Sequence, residues 1–274
     1  MRLTAAALRN EGGTMRILTT LFALSALACF FLSVAPVDAA TVALDYPNSL
    51  IQGVVGENGQ FRYRISNTNF DHSIANGSVI PPSIWAASAN LGTHTALNNA
   101  AWDFTLTYVA GVGYTFTLQH LGGGSPSITN SALNWTSVVG GIPPTRPFNA
   151  IEFYAQVQNG STAYAAATID VTNLNFSGAG LSIDPVYNTL RNLYDDKTIA
   201  PGPGGNDLDL EWIKADVDLS LYSWVFTGHV VATFAGYTSG NIDERIKFNI
   251  KTVKVEPSVP VDEMTWGQIK SLMR

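Results

Sequence analysis

The sequence predicts an all-β protein: an antiparallel, jelly-roll-like β-sandwich followed by a short helical tail. Three observations carry that prediction. Beyond residue 40, apolar and polar residues alternate with a period of two, the spacing of a half-buried strand. Runs of β-branched and aromatic residues are broken again and again by Gly, Asn and Pro, with 24 Gly and 13 Pro among 274 residues. No stretch between 41 and 255 keeps a long helical period, so short strands at regular spacing indicate a sandwich.

Thr41 to Asp45 reads as the first strand. In Gln60 to Ile65, Phe61, Tyr63 and Ile65 share one face and Arg62 and Arg64 the other. Trp102, Phe104, Leu106 and Tyr108 likewise share a face, and after Gly111-Val112-Gly113 the pattern resumes in Tyr114 to Leu118. Two alternating runs joined by a short Gly-bearing turn make a hairpin. Further strands are expected at Ile151 to Val157, Ala163 to Val171, Thr172 to Phe176, Leu208 to Ile213, Trp224 to Phe234 and Arg245 to Val255. Residues 187–195 fit either a short helix or an irregular crossover. The loops Gly122 to Pro126 and Ala200 to Gly205 are turn-rich, and neither has the length of an interdomain linker.

The two ends differ from this body. Residues 1–40 have the order of a secretory signal peptide: a basic start at Arg16, an apolar stretch from Ile17 to Val34, Pro36, and a small-residue site at Val37-Asp38-Ala39. Met15 offers an alternative start, which makes residues 1–14 an upstream extension. Cleavage near Ala40 removes Cys29, the sole cysteine, so the exported domain is expected to hold together without disulfides. No transmembrane span is expected in the mature chain. At the other end, residues 256–263 form a spacer containing Pro257 and Pro260. Residues 264–274 follow; as a helix they would put Trp266, Ile269, Leu272 and Met273 on one face. Gly267 weakens that helix.

The segments W-D-F-T-L-T-Y (102–108), Y-T-F-T-L (114–118), I-E-F-Y-A-Q-V (151–157) and V-T-N-L-N-F-S-G (171–178) occur in a telling order. D-L-E-W-I-K-A-D-V-D-L (209–219), W-V-F-T-G-H-V-V-A-T-F (224–234) and R-I-K-F-N-I-K (245–251) continue it. Together they resemble the bacterial choice-of-anchor domains, type W in particular, across residues 41–255. The resemblance implies an exported β-rich domain that carries a C-terminal sorting signal and no catalytic residues to transfer. The terminal T-W-G-x-I-K-x-L-x-R is similar to endings found on exported bacterial proteins. It makes Trp266, Gly267, Ile269 and Lys270 the candidate sorting residues, with a helical cap on the sandwich edge as the alternative.

Charge and motifs narrow the function. The chain carries a formal charge of −6 with no basic cluster, which argues against nucleic acid. His72, His94, His120 and His229 stand apart, without the spacing of a zinc site. No G-x-S-x-G elbow is present, so the sequence predicts no enzyme. One acidic constellation stands out. On a strand, Asp207, Asp209 and Glu211 share a face, with Asp195-Asp196 upstream, and their oxygens suit Ca²⁺, the one candidate cofactor. The alternative is the solvated face of an edge strand. Trp85 and Trp135, in stretches rich in Asn, Ser and Thr, are the candidates for an exposed glycan-binding platform. Trp102 and Trp224 alternate with apolar residues and read as core. The expected role is structural or adhesive, at the cell surface or outside the cell. Its expected partners are the export machinery and surface, matrix or glycan components; the alternative is a carbohydrate-binding module.

Overall fold

The computed structural model describes residues 39–47, 50–51, 54–65, 70–76, 85–122, 127–157, 164–197, 208–236 and 246–256. The predicted signal segment up to residue 38, the spacer beyond residue 256 and the C-terminal tail lie outside these residues, as do Asp207 and most of both turn-rich loops. Fourteen strands are described: β1 (Ala40–Ala43), β2 (Val54–Ile65), β3 (Phe70–Asn76), β4 (Trp85–Asn90), β5 (Ala100–Val109), β6 (Gly113–His120), β7 (Ser131–Trp135) and β8 (Ala150–Val157). There follow β9 (Ala166–Gly178), β10 (Leu181–Ile183), β11 (Leu193–Asp196), β12 (Asp209–Ala215), β13 (Trp224–Ala235) and β14 (Ile246–Val255). Among the described residues, the named helical elements are one α-helical turn, α1 (His94–Leu97), and a 3₁₀ turn at Leu219–Leu221.

The strands form two sheets, ordered β10-β1-β12-β8-β14-β2-β3-β4 and β11-β9-β13-β5-β6-β7. Every pairing is antiparallel except β1 with β10. From β8 to β14 the chain crosses to the opposite sheet at each step. That path places sequence neighbours on opposite layers and makes most pairings long-range.

The β5–β6 hairpin shows why these residues form these elements. Val112 N–H donates to the Val109 carbonyl at 2.9 Å, and Gly111 takes φ +73°, a conformation that costs glycine little. The turn sets Tyr108 opposite Tyr114 and Leu106 opposite Phe116, so both strands turn their large side chains inward. Inward rings then meet across the sheets: Phe61 with Tyr114 at 4.8 Å, Phe104 with Phe248 at 4.8 Å, Phe153 with Phe226 at 5.0 Å. Each such side chain contributes about 1.5–3 kcal/mol of burial, and one continuous core joins both sheets.

Several expectations are corrected. Ala163–Val171 and Thr172–Phe176 are one strand, β9, bent by a bulge opposite Gly228. Residues 187–195 contain no helix; an irregular crossover leads into β11. Trp85 and Trp135 lie in strands β4 and β7 rather than loops.

Candidate functional site

The acidic strand is β12, and its position differs from the sequence expectation. It runs between β1 and β8, so it is not an edge strand. Side chains alternate along it: Ile213 and Ala215 enter the main core, whereas Trp212 joins a second apolar cluster with Ala150, Val253 and Val255. By that alternation Asp209 and Glu211 share the face of Ile213, toward the interior. Glu211 is 6% exposed. The solvated edge-strand reading fails on two counts: β1, more than 160 residues away in sequence, pairs with Lys214 and Ala215 of β12, and Glu211 is turned toward the interior.

Arg191, in the crossover before β11, meets these carboxylates. Its Nη1 and Nη2 donate to Asp209 Oδ2 and Oδ1 at 2.9 and 2.6 Å, a bidentate pair. Nε donates to Glu211 Oε1. The remaining donors reach the carbonyls of Leu210 at 3.2 Å and Asn192 at 3.3 Å. A guanidinium has five N–H groups, and all five are used. Arg191 therefore ties the crossover to β12 and has no donor left for an anionic ligand. Asp209 Oδ2 also accepts from Tyr194 N–H at 2.9 Å, which sets the upstream acidic stretch beside β12.

Asp45, just after β1, completes the group. It holds φ +48°, an uncommon conformation for a residue with a side chain. Burial pushes the Glu211 carboxyl up to about 8; its hydrogen bond to Asp45 acts in the same direction, and Arg191 pulls the other way. Two ionised carboxylates have no hydrogen to share, so the Asp45–Glu211 contact requires a proton. Three carboxylates against one guanidinium leave an excess of negative charge, which that proton relieves. Arg191 supplies to Asp209 and Glu211 the positive charge that the sequence reading gave to Ca²⁺. Among the described residues no three His, Cys, Asp or Glu side chains converge as metal ligands.

Beside this cluster lies a cleft of about 390 Å³ lined by Asp45, Pro47, Tyr187, Arg191, Leu210 and Glu211. Tyr187 packs on Tyr46 with ring centroids 5.4 Å apart. The charged groups of the cleft are engaged with one another, an arrangement that fastens β1, the crossover and β12 together.

The tryptophan candidates separate. Trp135 is 1% exposed; its ring stacks on Tyr114 at 5.5 Å and its Nε1 donates to the Ser137 carbonyl at 2.9 Å. It offers no platform, because β7 turns it inward with Leu133. Trp85 is half-buried, and the Arg62 guanidinium sits over its ring at 4.1 Å. The sorting residues Trp266, Gly267, Ile269 and Lys270 lie outside the described residues. His229 pairs with Asp103 at 3.2 Å on the outer face of the six-stranded sheet.

Sequence reasoning passed over Tyr194. It is 43% exposed on the same outer face, and its hydroxyl donates to Asp196 Oδ2 at 2.9 Å. Its signal was alternation with buried Leu193 and Asp195 in a stretch too short to stand out. Among the described residues, no helix is long and apolar enough to cross a membrane. No family model matches the chain, and no curated protein matches it significantly, so geometry and residue chemistry carry the functional reading.

Proposed function

We propose that this chain is an exported bacterial protein of the cell surface or extracellular matrix, with a structural or adhesive role and no catalysis of its own. The observation that carries this reading is the saturated Arg191 cluster. The cleft beside Arg191 engages its cation and its carboxylates with one another and fastens chain segments together. With all five of its N–H groups used inside the chain, Arg191 has none left to orient an anionic substrate. The signal-like order of residues 15–40 and a cysteine-free body from residue 40 onward support export. Alternation between sheets from β8 to β14 supports a jelly-roll-like sandwich. Kinship with choice-of-anchor domains is part of the proposal and rests on the segments between 102 and 251.

Cell fractionation tests it. The full chain is expected in the surface or secreted fraction, and a version lacking residues 264–274 is expected to change fraction. Retention of the full chain in the cytoplasm overturns the export reading. Identical location of both chains removes the tail's sorting role.

A further inference from the structure

The six strands of the smaller sheet contain no Lys or Arg, whereas the larger sheet carries Arg62, Arg64, Lys214, Lys247, Lys251 and Lys254. The polar groups on the outer face of the smaller sheet are hydroxyl, amide, imidazole and carboxylate, the last from Asp103, Asp170 and Asp196. One row across it reads Thr117, Thr105, Thr227, Asn175, each directly opposite the next. The adjacent row sets Asp103 opposite His229 and His229 opposite Thr172.

Between these rows β9 carries its bulge. Asn173 is an extra residue there, exposed and at φ +55°. Gly228 lies opposite because a Cβ would fall 2.5 Å from the Phe104 ring and 2.7 Å from Leu174. Bulges of this kind re-aim side chains and recur beside functional sites. Tyr194 stands farther along, opposite Asp170 on β9, two strand spacings or about 10 Å across the sheet from His229. Its ring is exposed and its hydroxyl is tethered to Asp196.

We propose that this face, formed by Asp103, His229, Thr172, Asn173, Asn175 and Tyr194, binds a neutral glycan. A carboxylate accepts from sugar hydroxyls, whereas amide and imidazole groups can both donate to and accept from them. An exposed tyrosine ring offers an apolar surface to the C–H face of a sugar. Anionic partners lack a cation to meet on these strands. The aliphatics that flank the polar rows are the small side chains of Val109, Val225 and Val231, and these are not the large apolar anchors of a protein–protein interface. Asp103 at 57% exposure, beside His229 at 22%, remains accessible to a ligand. The proposal names a partner for the adhesive role above and rests on that reading for its setting alone. Fractionation reads destination and binding assays read the ligand, so either fails without the other.

The test uses the full chain on a panel of neutral oligosaccharides, with calorimetry on the sugar retained. Asp103→Ala, Asn173→Gly and Tyr194→Ala are each expected to weaken binding about tenfold, the loss of one good contact. Glycine suits the φ of residue 173, so Asn173→Gly separates lost binding from lost folding. Lys254→Ala, on the other sheet, is expected to leave affinity unchanged, and binding is expected to be insensitive to salt. The proposal is overturned if no neutral sugar binds at millimolar concentration, or if the three substitutions leave binding intact. Retention of basic peptides in place of sugars overturns it as well.

Discussion

Glu211 holds its proton because burial and the neighbouring Asp45 oppose its charge more than Arg191 favours it. Its pKa is about 8 in the folded chain and near the ordinary carboxylate value of about 4.3 when unfolded. Between those values the folded state binds more protons, so its stability falls as pH rises through that window and levels off above it. Thermal melts from pH 5 to pH 9 are expected to show this decline. Glu211→Gln is expected to flatten it, because an amide can donate to Asp45 and accept from Arg191 at any pH; an unchanged slope would assign the dependence elsewhere. Asp209 and Glu211 already have Arg191 as counter-ion, so Ca²⁺ or EDTA is expected to leave the melting temperature unmoved. A rise with Ca²⁺ would show that the folded chain binds the ion after all. The sequence placed Asp209 and Glu211 on one face correctly, since alternation is local. It could not identify Arg191 as their partner, because that contact depends on how the crossover folds back.

Among the elements, the β5–β6 hairpin was legible because its register follows from one short turn and one unbroken alternation. The bulge in β9 was not, and a single strand read as two. Its cause lies on another strand: Gly228 of β13 has no side chain, and Phe104 and Leu174 fill that space. Gly228→Ala is therefore expected to destabilise the fold by about 2 kcal/mol through overpacking. Urea denaturation measures it, and a neutral result would mean that the rings have room to shift. β11 was hidden for another reason. Four residues are too few for periodicity, and this edge strand is held from both layers: it pairs with β9, while Asp195 Oδ2 accepts from Val157 N–H of the opposite sheet at 2.6 Å.

At the scale of the molecule, both sheets share one aromatic core, so they are expected to unfold together. Tryptophan fluorescence and far-ultraviolet dichroism should then give coincident transitions. Phe104→Ala, which removes a ring touching both Phe226 and Phe248, is expected to cost about 3–5 kcal/mol and to shift both signals equally. Separate transitions would mean that each sheet has a core of its own.

By itself the sequence determined the all-β class, the inward rings of each long strand and the acidic face of β12. All three follow from side-chain alternation, a property of neighbouring residues. Only the tertiary structure decided that β12 is internal, that Trp135 is buried, and that the six strands gathered into the smaller sheet bring no Lys or Arg to it. Those outcomes depend on which distant strands pair. That choice is made by burial of the whole aromatic core, and no local pattern records it.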